Sequence, residues 1–136
     1  MNLDRARAVV AAQHRAVLAT SRKDGTPQMS PVFVTVDDDG RLVVSSRQRA
    51  MKTRNVRRDP RAWLCVLPDG FFGEWIQVEG TVTVLELPEA MEPLVAYYRS
   101  ISGEHPDWDE YRAEMEREER VLLVITPTRA GPDVSG

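Results

Sequence analysis

Apolar residues recur along the chain in two rhythms, and the switches between them outline the fold. Leu3, Ala6, Val9 and Val10 fall on one side at helical spacing, so a short amphipathic helix opens the chain within residues 1–14. Ala16 to Thr20 reads as a strand that ends at the turn signal Lys23-Asp24-Gly25, and Gln28 to Val36 returns as its hairpin partner. Pro31 lacks the N–H a ladder needs and marks an edge, a bulge or an opening in the sheet. Asp37-Asp38-Asp39-Gly40 turns into a third strand, Arg41 to Ser46.

The rhythm then becomes helical from Arg49 to Arg58, until Asp59-Pro60 forces the backbone out of the α region. Ala62 to Leu67 is a fourth strand. Trp75 to Leu85 is a fifth, in which Ile76, Val78, Val82 and Val84 alternate with polar residues, and Gly80 interrupts the apolar side as a bulge would. Pro88 opens a helix carrying Met91, Leu94, Val95, Tyr98 and Ile101 on one face, and Gly103 closes it. A second helix begins near Pro106 and presents Trp108, Tyr111 and Met115. Arg120 to Thr126 is the sixth strand, and residues 127–136 read as a loose tail. The pattern predicts one mainly β (α+β) domain over residues 1–136: a six-stranded antiparallel β-barrel, Greek-key-like, with peripheral helices.

Composition fits that picture and removes several functions. With 42% hydrophobic and 29% charged residues the chain belongs with globular proteins rather than disordered ones. Cys65 is the only cysteine and sits in an apolar run, so it reads as a buried thiol. The N-terminal residues lack a signal-peptide core and no stretch is long and apolar enough for a membrane span, so a cytoplasmic location without membrane contact is expected. A net charge of −3 argues against generic nucleic-acid binding. His14 and His105 have no ligand-spaced partners, so no metal site is expected, and the local motifs of hydrolases and phosphoryl transferases are missing.

Charge is unevenly placed. Arg47, Arg49, Lys52, Arg54, Arg57, Arg58 and Arg61 stand against the single acid Asp59, whereas the acids between Glu104 and Glu119 alternate with Arg112 and Arg117 as on a solvated helix face. In Ser45-Ser46-Arg47-Gln48-Arg49-Ala50-Met51-Lys52-Thr53-Arg54-Asn55 a strand end delivers two hydroxyls to a helix start. Free backbone N–H groups and cationic side chains meet there, as in a phosphate site. The competing reading is a solvent-facing basic helix without a ligand. Gln28 to Ser30, near Pro31, would form a second wall on a strand expected to pair with the third, and Trp75 either covers a flat ring or anchors the core.

These residues resemble a known family. Lys52-Thr53-Arg54-Asn55-Val56-Arg57-Arg58-Asp59-Pro60-Arg61, with Ala16-Val17-Leu18-Ala19-Thr20, Asp24-Gly25-x-Pro27-Gln28, Ser45-Ser46 and Val78-Glu79-Gly80-Thr81, is similar to the pyridoxamine 5'-phosphate oxidase-like split barrels. The block from Tyr98 through Gly103-Glu104-His105 to Tyr111 resembles their actinobacterial branch that uses the deazaflavin coenzyme F420. The resemblance implies a homodimer of split barrels with cofactor sites at the interface and hydride transfer from reduced F420 to a small conjugated or activated substrate. An FMN oxidoreductase of the same fold, a non-catalytic F420 carrier and, last, an RNA-binding barrel are the alternatives.

The resemblance also implies that Lys52 grips the cofactor phosphate, that Gln28 and Ser30 line the ring or tail, and that Ser45 to Arg47 hold the tail. Arg120 matches a basic position near the tail and is expected to reach the cofactor held by the other subunit's Lys52, or else to pair with a neighbouring acid. Relatives often carry Arg where this chain has Ala50, so the grip falls to Arg47 or Arg49. The cofactor-site candidates are Gln28, Ser30, Pro31, Ser45, Ser46, Arg47, Arg49, Met51, Lys52, Thr53, Trp75 and Arg120. No catalytic side chain is singled out, since hydride transfer is the cofactor's chemistry.

Overall fold

A seven-stranded antiparallel sheet organises the chain, which is described over residues 2–136 by a computed structural model. The elements run α1 (Leu3–Ala12), β1 (Arg15–Ser21), β2 (Pro27–Phe33), β3 (Thr35–Val36), β4 (Leu42–Arg47), α2 (Met51–Arg58), β5 (Arg61–Leu67), β6 (Ile76–Glu86), α3 (Met91–Ser102), α4 (Trp108–Arg117) and β7 (Arg120–Asp133). The sheet order is β2-β1-β5-β6-β7-β4-β3.

The count is seven rather than six because the strand expected over residues 28–36 divides at Val34. β1 begins at Arg15, opposite Phe33, so the returning chain runs out of partner there. Val34 turns inward, fully buried, with its N–H donated to the His14 carbonyl at 2.8 Å. Thr35 and Val36 then pair with β4. The two edges of the sheet are thus continuous in the chain, but hydrogen bonds do not close the ring. A split remains between β2 and β4. Gln28 and Ser30 accordingly pair with Thr20 and Leu18 of β1, not with the third strand, and Pro31 lies on an edge strand where its missing donor matters least.

Residues 127–133 are strand, not tail. Beyond Ile125, opposite Leu42, β7 has left β4 behind and pairs only with β6 as far as Asp133. Pro127 and Pro132 therefore cost no ladder bond on the free side. The bulge at Gly80 is present as a register shift between Glu79 and Gly80. A Cβ there would stand 2.6 Å from both Ile125 Cγ2 and the Thr126 carbonyl oxygen.

Alternation along β1, β5 and β6 sends Leu18, Leu64, Val66, Ile76 and Val78 into the barrel, where Ala6 and Val10 of α1 cover one end. α3 and α4 cover the outer face of β4 and β7, burying Val43, Leu122 and Val124 beneath Leu94, Val95, Tyr111 and Met115. Val121 to Ile125 are therefore buried on both faces, which explains their unbroken apolar run. The outer face of β2, β1 and β5 has no helical cover: Met29 and Phe33 are exposed there, and Val17, Ala19, Trp63, Cys65 and Leu67 are half-buried. No helix among the described residues is long and apolar enough to cross a membrane.

Candidate functional site

At the split, the ends of β2 and β4, the first turn of α2 and the inner faces of α3 and α4 flank an open cavity of about 510 Å³. Pro31, Ser45, Lys52 and Arg120 line it, together with Val32, Phe33, Tyr97, Tyr98, His105, Tyr111, Glu114, Met115 and Glu118. The barrel interior is filled with aliphatic side chains, so a ligand of flavin size has its room outside, as small barrels dictate. The volume falls within the range of about 300–1,000 Å³ common for ligand sites.

Period two along β4 places Ser45 and Ser46 on opposite faces. Ser45 looks into the cavity. Ser46 is buried and hydrogen-bonded to Thr53 at 2.8 Å, and the Thr53 hydroxyl donates to the Arg47 carbonyl at 2.6 Å. This clasp fixes α2 onto the strand end and brings Lys52 to the cavity, but neither Ser46 nor Thr53 reaches it. Asn55 reinforces the clasp from one turn on, donating to Thr20 at 3.0 Å and accepting from Arg58 at 3.1 Å. Gln28 belongs to the same network through Thr20.

α2 starts at Met51, two residues later than expected, and its cap residue Ala50 has no side chain with which to satisfy the first-turn N–H groups. Lys52, half-buried on that turn, has no carboxylate within 4.0 Å among the described residues. Burial, then the nearby charges of Arg120 and Arg47, push its ammonium below the usual lysine pKa. Arg47 and Arg120 are themselves directly opposed as the last pair of the β4–β7 register. Arg120 Nε donates to Glu118 Oε1 at 2.7 Å, and Arg47 lies 3.5 Å from the same oxygen. Two of the three cations thus share one carboxylate, and Lys52 has none.

The rest of the basic stretch disperses. Arg49 faces Glu119 at 3.8 Å, Arg57 pairs with Glu86 at 2.7 Å, Arg61 pairs with Asp59 at 2.8 Å and Arg58 binds the Ser21 carbonyl. Between the two arginines expected to replace the one absent at Ala50, Arg47 stands beside Lys52 and Arg49 points away. Met51 is exposed. Arg120 joins Lys52 of its own chain, in addition to pairing with a neighbouring acid. Trp75 precedes β6 at the end opposite Glu86, which pairs with Val121; ten residues at about 3.3 Å each separate it from this cavity.

No residue of the helical wall is among the site candidates, although the block from Tyr98 to Tyr111 carries part of the family resemblance. Tyr98, His105, Trp108 and Tyr111 form a mutual cluster with ring centroids 5.1–5.8 Å apart. His105 Nδ1 accepts the Asp107 N–H at 2.9 Å, which leaves the ring's hydrogen on Nε2. Tyr97 donates to the Phe33 carbonyl at 2.9 Å and ties α3 to the edge strand at the split. Burial pushes the Tyr97 phenol up and the Tyr111 phenol up to about 12, so both stay protonated at neutral pH. A phosphate-bearing group with a flat ring suits this chemistry. Lys52 lacks a counter-ion. Ser30 does not line the cavity: paired with Leu18, it shares the barrel-facing side of β2, where its Oγ is the one buried side-chain polar atom without a hydrogen bond among the described residues.

Comparison with solved structures places the fold. The conserved hypothetical protein Rv2991 from Mycobacterium tuberculosis superposes with a TM-score of 0.76 at 22% identity, covering 96% of this chain and 82% of that one. A structure described as an F420 reductase gives 0.72 at 21% identity, covering 92% and 94%. HutZ, described as the heme storage protein from Vibrio cholerae, gives 0.72 at 16% identity, covering 98% and 96%. The family model of pyridoxamine 5'-phosphate oxidase matches residues 3–131, so the chain belongs to that family of split barrels.

Proposed function

We propose that the protein is an F420H2-dependent reductase, working as a homodimer and passing a hydride to a small conjugated or activated substrate. The observation that carries the cofactor assignment is the half-buried ammonium of Lys52, set beside two guanidinium groups without a carboxylate of its own. Such a charge conflict costs the folded protein free energy and is relieved by an anion. Lys52 and Arg120 would hold the cofactor's phosphate, with Arg47 at the margin and Ser45 offering a hydroxyl. Pro31, Val32 and Tyr98 would give the ring an apolar bed. When bound, the deazaflavin supplies the hydride; the protein orients ring and substrate and keeps water away.

The similar structure described as an F420 reductase, matched over most of both chains, favours F420 over FMN. Exposed Arg54, on the helix that carries Lys52, suits a cofactor whose tail carries further carboxylates. The uncovered face of β2, β1 and β5, with Met29 64% and Phe33 56% exposed, is where a second copy would pack and roof the split. Titration of the purified protein with F420 and FMN separately tests the reading. Micromolar F420 binding supports it, and FMN binding without F420 binding overturns the cofactor assignment. Light scattering that found a monomer retaining full cofactor affinity would remove the dimer from it.

A further inference from the structure

Glu118 occupies a place that ordinary helix electrostatics makes unfavourable for an acid. It is the C-cap of α4, at the negative end of the helix dipole, and Glu114, Glu116 and Glu119 stand within one turn of it. Among the described residues only Arg120, at 2.7 Å, and Arg47, at 3.5 Å, offset this. The Arg120 hydrogen bond, with the charges of Arg120 and Arg47, holds its carboxyl below the usual range against burial. Those arginines in turn need an anion, because like charges opposed across a strand pair repel. The carboxylate therefore sits in the cavity bonded to two of the three cations that would grip a phosphate, leaving Lys52 to itself.

We infer that Glu118 is a resident counter-ion of the cofactor site, displaced when an anionic ligand binds, and that it sets the charge a ligand must bring. This rests on the phosphate-site reading above. A singly charged group offers Arg47 and Arg120 no more than the tethered carboxylate already does. A phosphate dianion, or a phosphodiester with adjacent carboxylates, offers more and also engages Lys52. Glu118 thus screens out monoanions and is held weakly enough, at a helix end among other acids, to give way to a multiply charged ligand.

Glu118→Gln keeps the side chain's length and an acceptor for Arg120 but removes the charge. Wild type and variant are titrated with inorganic pyrophosphate, dimethyl phosphate, FMN and F420, with Glu116→Gln as a control of equal net charge. The variant is expected to bind pyrophosphate about tenfold tighter, to narrow the preference for pyrophosphate over dimethyl phosphate, and to melt earlier without ligand. Gains in affinity paired with a loss of ligand-free stability are the signature of a displaced counter-ion; a merely structural carboxylate would lose both or change neither. Should Glu118→Gln not fold, Glu118→Asp, which withdraws the charge from the arginines, is expected to tighten binding in the same direction. Unchanged or weaker pyrophosphate binding in a folded variant, or a gain matched by Glu116→Gln, overturns the inference. If none of these proteins binds pyrophosphate, FMN or F420, the phosphate site itself is rejected and this inference with it.

Discussion

Replacing Lys52 by methionine removes a charge while keeping most of the side chain's apolar length, and the geometry demands opposite effects on binding and stability. The ammonium supplies a charge-assisted hydrogen bond to a bound phosphate, worth about 1.5–3 kcal/mol, so cofactor affinity should fall about ten- to hundredfold. Without ligand the same ammonium is a burden. Burial and the charges of Arg120 and Arg47 depress its pKa below 10.5 in the folded chain. At neutral pH the folded state therefore holds its proton less willingly than the unfolded state, and that cost fades only as pH rises from the folded pKa toward 10.5. Because Lys52 is half-exposed, solvent screens the repulsion, and the relief in Lys52→Met should not exceed about 1 kcal/mol. In a domain of this size that is about 4 °C in Tm. Thermal unfolding without ligand, repeated at high salt where the gain should shrink, measures one arm; fluorescence titration with F420 and with FMN measures the other. A variant that melts lower than wild type, or that binds its cofactor unchanged, would refute the reasoning.

Three further outcomes follow from other parts of the fold. Gly80→Ala should destabilise by about 3 kcal/mol or more in urea, because its Cβ would lie 2.6 Å from both the Ile125 side chain and the Thr126 backbone; a loss under about 1 kcal/mol would show that the bulge yields. Asn55→Ala removes one of two partners from buried Thr20 and one of two from Arg58 and should cost about 1–3 kcal/mol in the same assay. Its affinity for pyrophosphate should change less than that of Lys52→Met, and an equal loss would mean that the clasp does not hold α2 independently of it. Asp59 is held down to about 2, first by the Arg61 side-chain hydrogen bond, so the stability it contributes is present above its ordinary 3.8 and drains away as pH falls through about 2. Asp59→Asn should therefore show a shallower acid-induced loss than wild type over that interval, and parallel melting curves would remove the ion pair from the account.

The strands and turns were legible because each element carries its own period, and Gly80 and Pro31 announced a bulge and an edge through backbone chemistry alone. What local pattern could not reveal was which partner each residue would meet. The division at Val34 follows from where β1 begins, not from anything within residues 28–36. Residues 127–133 read as tail because their one-sided pairing depends on β4 beginning only at Leu42. In the site, Ser45 and Ser46 were read together although adjacency in a strand sends them to opposite faces. Lys52, Pro31, Ser45 and Arg120 do meet, but Glu114 in α4 and its C-cap Glu118 were hidden among the helix's exposed acids Asp109, Glu110 and Glu116, which they resemble. The inward turn of Glu118 is met by Arg120 of β7 and by Arg47 of β4, and the latter is distant in sequence.

That separation between local and distant determinants also explains how a domain of 136 residues can carry a site with unresolved charge. Barrel interior and helical cover are complete without a ligand: Leu18, Val44, Leu64, Ile76, Leu123 and Ile125 are buried to within a few per cent. Each such side chain contributes about 1.5–3 kcal/mol through burial, enough together to tolerate a conflict of about 1 kcal/mol at the rim. The conflict is confined to the split, where β4, α2 and the end of α4 converge and hydrogen bonds do not close the sheet. Residues there are free to change charge without disturbing the core, whereas Ser46, Thr53 and Asn55, one layer beneath, are not. A family built on this barrel can therefore alter the anion it holds by substitutions at positions such as Arg47, Glu118 and Arg120, as long as the clasp under Lys52 remains intact.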